Sequence, residues 1–166
     1  MANKQSFTPE EWTKVVESTM LAGMAVSAAE PSGLWGTLKE AFASSSALAE
    51  AKLDPGSSEL VKAVVAEFET SEGRSAVQEA LRKSFAGAKP ADVVQRSLAT
   101  LREVSAILDA KAPGDAPAFK TWLRAISQKV AEASATGGFL GFGGVQVSEA
   151  EKATLADIAK ALGTSA

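Results

Sequence analysis

Three side chains are absent from this chain: cysteine, histidine and tyrosine. Without cysteine there is no disulfide, no thiolate nucleophile and no sulfur-ligated zinc or iron–sulfur centre. Without histidine there is no Ser–His or Cys–His pair and no imidazole ligand for a metal. The usual helical-bundle diiron site, which needs a Glu-x-x-His pair on two helices, is excluded with it. No side chain remains whose unperturbed pKa lies near neutrality. Aromatic residues are scarce at 6%, three Trp and seven Phe. Basic charge is also short: 17 Lys and Arg stand against 20 Asp and Glu, a net charge of −3. That balance argues against nucleic acid and against an anionic membrane surface, both of which call for clustered cations. The uncharged run Thr19 to Ala29 falls well short of the ~20 residues needed to span a bilayer. Met1 to Phe7 is polar and lacks the apolar core of a signal peptide. The expectation is a soluble, cytoplasmic protein with no cofactor, no metal and no membrane contact.

What is present is apolar helix former. The chain has 166 residues, 46% of them hydrophobic. That suffices for one domain with a core and is too little for two comfortable ones. Helix start and stop signals divide it into about seven segments. Thr8-Pro9-Glu10-Glu11 places Thr at the N-cap, Pro at the first helical position and Glu at the third, a capping box. Trp12, Val15, Val16, Met20, Gly23 and Val26 then recur at three and four residues, and Glu30-Pro31 stops the helix near Ala29. Ser32 caps a second helix from Gly33 to about Leu53, and Asp54-Pro55-Gly56 is a turn. Ser57 or Ser58 opens a third helix carrying Leu60, Val61, Val64, Val65 and Phe68. Thr70-Ser71-Glu72-Gly73 is a break before a fourth, with Val77, Leu81 and Phe85, ending at Gly87.

Lys89-Pro90 opens a fifth helix. Its wide apolar face, from Val93 through Leu98, Leu101 and Val104 to Leu108, suggests a central position. Asp115 caps a sixth, which runs to about Thr136, and Ser148-Glu149-Ala150-Glu151 is a second capping box opening the last helix. No stretch alternates strictly enough for a half-buried strand. The pattern predicts a single all-α domain over residues 1–166: an up-and-down helical bundle of 6–7 helices, four of them long. Residues 1–7 are read as flexible, and 137–147 as a Gly/Phe-rich linker before the last helix.

That linker is the most unusual segment. Gly137 to Gly144 holds five of the thirteen glycines together with Phe139 and Phe142. It is no phosphate loop, because Val145 follows Gly143-Gly144 where a P-loop needs Lys and Ser or Thr. A dinucleotide fingerprint would need a third glycine where Gln146 stands. One reading tucks Phe139, Leu140 and Phe142 against the bundle end. The other leaves Phe139, Leu140, Phe142, Val145 and Val147 as contact residues for a partner.

Further candidates each have a plain alternative. Met20 to Val26 is apolar all round, and Gly23 and Ser27 are a small-xxx-small pair. This fits a buried central helix or a homodimer face. Glu67, Glu69 and Glu72 could serve acid–base chemistry if buried together, yet read as solvated charge at a helix break. Arg74, Arg82, Lys83, Lys89, Arg96 and Arg102 are interleaved with acids, as on an ordinary surface. Trp12, Trp35 and Trp122 fit core anchors rather than a ligand cage.

Gly137 to Val145, followed by Val147-Ser148-Glu149-Ala150-Glu151, resembles a group of small uncharacterised bacterial all-helical proteins, of the cyanobacterial and rhizobial kind. Pro31-Ser32-Gly33 and Leu38-Lys39-Glu40 fit the same resemblance. It implies a helical fold and makes the Gly/Phe loop a shared feature, and it brings no activity and no site residues.

These signals do not name a role. The function that fits them best is a non-enzymatic protein-interaction or scaffold protein, with a homodimer or another protein as partner. The alternative is a binder of an apolar small molecule between helices, which needs space near Phe42, Phe119 or Trp122. A carboxylate-dependent enzyme ranks third.

Overall fold

The computed structural model describes residues 1–29, 46–136 and 147–164. Among these the chain forms a short 3-10 turn, Lys4–Ser6, and seven α-helices, with no strand. They are α1 (Pro9–Ala29), α2 (Ser46–Leu53), α3 (Glu59–Glu69), α4 (Ser71–Ser84), α5 (Pro90–Lys111), α6 (Ala116–Thr136) and α7 (Glu149–Ala161). The protein is an all-α helical bundle, as the periodicity predicts. Of the second helix expected from Gly33 to Leu53, the stretch Ser46–Leu53 is described, and the remainder lies outside the described residues.

Both expected capping boxes form. The Thr8 amide donates to Glu11 Oε2 at 2.8 Å and the Glu11 amide to Thr8 Oγ1 at 3.2 Å. At α7 the Ser148 amide donates to Glu151 Oε2 at 2.9 Å and the Glu151 amide to Ser148 Oγ at 3.1 Å. Each box satisfies amides that an isolated helix end leaves orphaned. Ser58, rather than Ser57, caps α3, accepting from the Val61 amide.

The centre of the bundle is α1, and α3, α4, α5, α6 and α7 all pack on it. Val15, Leu21, Ala22, Ala25 and Val26 are fully buried on different sides of this helix. The small residues Ala22, Gly23 and Ala25 let neighbouring axes approach closely. The wide apolar face of α5 suggested that α5 would be central, but one side of it is solvated, with Arg96, Arg102 and Glu103 exposed. It runs antiparallel to α1, as the ion pairs Lys111–Glu11 (3.2 Å) and Lys14–Glu103 show. Next, α6 returns along α1 in the same direction: Asp115 at its start holds Ala2, and Ser127 one helix length later donates to the Ala22 carbonyl at 3.0 Å. Finally, α7 closes the bundle through Ile158 and Leu162, and Ser105 of α5 donates to the Leu162 carbonyl at 3.1 Å.

The lead-in before α1, expected to be flexible, packs instead. Ala2 and Phe7 are buried, the Phe7 ring lies 5.7 Å from Trp12, and the Ala2 amide donates to the Asp115 carboxylate at 2.7 Å. Sequence pattern could not reveal this, because the partner is 113 positions away.

The break at Thr70 is a shared cap. Its backbone amide closes α3 on the Glu67 carbonyl at 3.2 Å, and its Oγ1 accepts from the Gly73 amide at 2.9 Å to open α4. The same hydroxyl donates to the Glu67 carbonyl at 3.0 Å. Gly73 therefore lies within the first turn of α4, where the chain folds back against the end of α3.

Candidate functional site

Ser127 on α6 is turned inward, donating to the carbonyls of Ala22 and Leu123, which fixes the rotation of the helix. Thr121, Ala125 and Gln128 of the same helix are exposed. Across from them α7 contributes Leu155, half-buried, and Ile158, buried. Together with Arg124 and Ser127 these residues line an open groove of about 300 Å³. On the α6 side Thr121 and Ala125 are short and Arg124 and Gln128 are long and polar, and the α7 side is aliphatic. Such a trough suits the ridge of side chains on another helix.

Of the residues expected to make contact, Val147 is partly buried and packs against the core at the entry to α7. Phe139, Leu140, Phe142 and Val145 lie outside the described residues. They belong to the connection between α6 and α7, the two helices that form the groove. Sequence reading missed the groove's own residues, because Thr121, Ala125 and Gln128 occupy the polar side of α6 and carry no motif.

The other candidates resolve into structural roles. Met20 to Val26 lies in the central helix, with Leu21, Ala22, Gly23, Ala25 and Val26 buried by the chain's own helices. The Ser27 hydroxyl of the small-residue pair donates to the Gly23 carbonyl of its own helix at 3.0 Å. Glu67 and Glu69 are not buried together: Glu67 accepts from Lys4 at 2.8 Å, Glu69 pairs with Lys52, and Glu72 is exposed. The cations Arg74, Arg82, Lys83, Lys89, Arg96 and Arg102 are exposed. Glu79 holds Arg82 at 2.9 Å, and hydrogen bonding with Arg82 sets the Glu79 carboxyl below its ordinary pKa. Trp12 is buried and Trp122 packs against the core, while Trp35 and Phe42 lie outside the described residues. The Phe119 ring is fully buried and meets Trp122 edge-on at 5.4 Å, so these two aromatics fill the space next to each other.

Three carboxylates are buried among the described residues: Glu17, Asp115 and Glu151. Asp115 anchors the Ala2 amide and Glu151 completes a capping box. Glu17 differs. It is 4% exposed on α1, and Ser84 at the end of α4 donates a hydrogen bond to it at 3.2 Å. Burial pushes its carboxyl above the ordinary glutamate range, and the Ser84 hydroxyl and the Lys14 charge only partly offset that. One signal for Glu17 stood in the sequence: it is the only charged residue between Val15 and Ala29. Among the described residues no group of three or more acidic side chains is placed to hold a metal ion. No helix of the described residues is long and apolar enough to cross a membrane.

The fold and groove define a helical-bundle protein with an open interhelical trough. No protein-family model, no curated protein and no solved structure matches the chain.

Proposed function

We propose that this chain is a non-enzymatic interaction protein that pairs with a second copy of itself through the face formed by α6 and α7. The groove between these helices carries the reading. Its lining combines the short side chains of Thr121 and Ala125 with Arg124 and Gln128, and Leu155 and Ile158 form its aliphatic side. A third helix seated there would cover the half-buried Leu155 and meet the short side chains of Thr121 and Ala125, with Arg124 and Gln128 ordered at the edge. Phe139, Leu140, Phe142, Val145 and Val147, which follow α6 and precede α7 in the chain, are the further contact residues of this proposal. A cytoplasmic setting, and the likeness of residues 137–151 to small bacterial helical proteins, belong to the proposal and add no activity to it.

Size-exclusion chromatography with light scattering tests it. The expected result is a concentration-dependent species of twice the chain mass, weakened at least about tenfold by Ala125→Arg, the effect of losing ~1.4 kcal/mol. Phe142→Ala should weaken it independently. A strict monomer at every concentration, or a dimer indifferent to Ala125→Arg, would remove this face as the contact.

A further inference from the structure

Among the described helices, α4 has a thin hold on the bundle. Its fully buried residues are Gly73 and Val77, both in its first half. The second half rests on Leu81 and on Phe85 just beyond the helix, both partly buried. Two polar contacts fix the end. Arg96 of α5 donates to the Ser84 carbonyl at 2.8 Å, and the Ser84 hydroxyl donates to Glu17 Oε1 at 3.2 Å. Glu17 thus lies under the end of α4, on the central helix, shielded from water while that end is in place.

We propose that Glu17 is a proton-controlled latch: with its carboxyl neutral the C-terminal end of α4 stays docked on α1, and ionisation favours release of that end. A buried carboxylate with one neutral donor is poorly compensated, and the least disruptive way to hydrate it is to lift the weakly held helix end above it. The surrounding charges do not supply a counter-ion. Lys14, on the same helix, acts on Glu17 from a distance while its ammonium is bonded to Glu103 of α5. Arg96 of α5 is directed to the Ser84 carbonyl. On α4, Arg82 and Lys83 are held by Glu79. Among the described residues no charge from α3, α6 or α7 contributes to Glu17.

The sign follows from linkage. Burial raises the carboxyl's pKa in the docked state, and exposure returns it to the ordinary value of 4.5. Undocking therefore releases a proton. It is least favourable below the ordinary value, becomes easier as pH climbs through the interval up to the raised value, and levels off above it.

Hydrogen exchange of residues 77–88 between pH 4 and pH 8, corrected for intrinsic rates, reads this directly. Within the interval the opening equilibrium should rise by up to about tenfold per pH unit, the limit for release of one proton. Glu17→Gln should abolish that rise and keep exchange slow, while residues 93–108 of α5 show no such trend in either protein. An identical pH profile in Glu17→Gln, a flat profile in the wild type, or the same profile in α5 would each overturn the latch. A carbon-13 carboxyl titration of the wild type is the second measurement. A Glu17 midpoint at or below the ordinary range would also overturn it, whether or not the variant folds.

Discussion

Gly73→Ala should destabilise the protein, although alanine is the better helix former and the site lies inside a helix. A methyl group at this position would stand 2.1 Å from the Glu67 carbonyl oxygen, 2.8 Å from its carbon and 2.9 Å from Thr70 Oγ1. The first two are backbone atoms and cannot rotate away. The α3–α4 joint would have to open, which costs about 1–3 kcal/mol by analogy with overpacked cores. Opening it also strains the Thr70 cap, worth ~1 kcal/mol. Against this, alanine gains ~1 kcal/mol of helix propensity. The balance is a loss of roughly 1–3 kcal/mol, or a fall in melting temperature of about 2–12 °C at 2–4 °C per kcal/mol for a chain of this size. Urea and thermal melts followed by circular dichroism would measure it. Gly114→Ala is the control. No atom lies within 4 Å of a methyl there and its φ is not left-handed, so it should be neutral or stabilise by up to ~1 kcal/mol. If Gly73→Ala melted at or above wild type, the joint would be softer than its geometry indicates and the close-approach argument would fail.

Other variants probe the core and the caps. Phe119→Ala removes a fully buried ring and leaves Trp122 without its edge-on partner, so urea unfolding should show a loss of about 3–5 kcal/mol. A loss below ~1 kcal/mol would mean that the site collapses around the gap. Ser148→Ala deletes the acceptor for the Glu151 amide and should cost about 1 kcal/mol, with faster hydrogen exchange concentrated in the first turn of α7. Uniform faster exchange across all helices would contradict a local capping role.

The helices were legible because their causes are local. Thr8 with Glu11 and Ser148 with Glu151 are three residues apart, and the start of each helix can be read from one turn of sequence. The apolar stretch Met20 to Val26 announced a helix surrounded on all sides for the same kind of reason. What it could not announce was which helix takes the centre. The apolar face of α5 is as long as that of α1, and the choice depends on the small residues of α1 meeting several neighbours at once. The groove was not legible either: Thr121, Ala125 and Gln128 are unremarkable on a polar helix side and become a site only beside Leu155 and Ile158.

The sequence by itself thus determined an all-helical fold, the capped starts of α1 and α7, and the absence of histidine and cysteine side chains, because composition and neighbours within one turn settle these. Tertiary structure alone decided that Ala2 docks on Asp115, that α6 and α7 leave a trough between them, and that Glu17 loses its water beneath the end of α4. Each of these joins residues far apart in the chain or depends on space between backbones. Burial and close approach are properties of packed elements, and no local pattern encodes them.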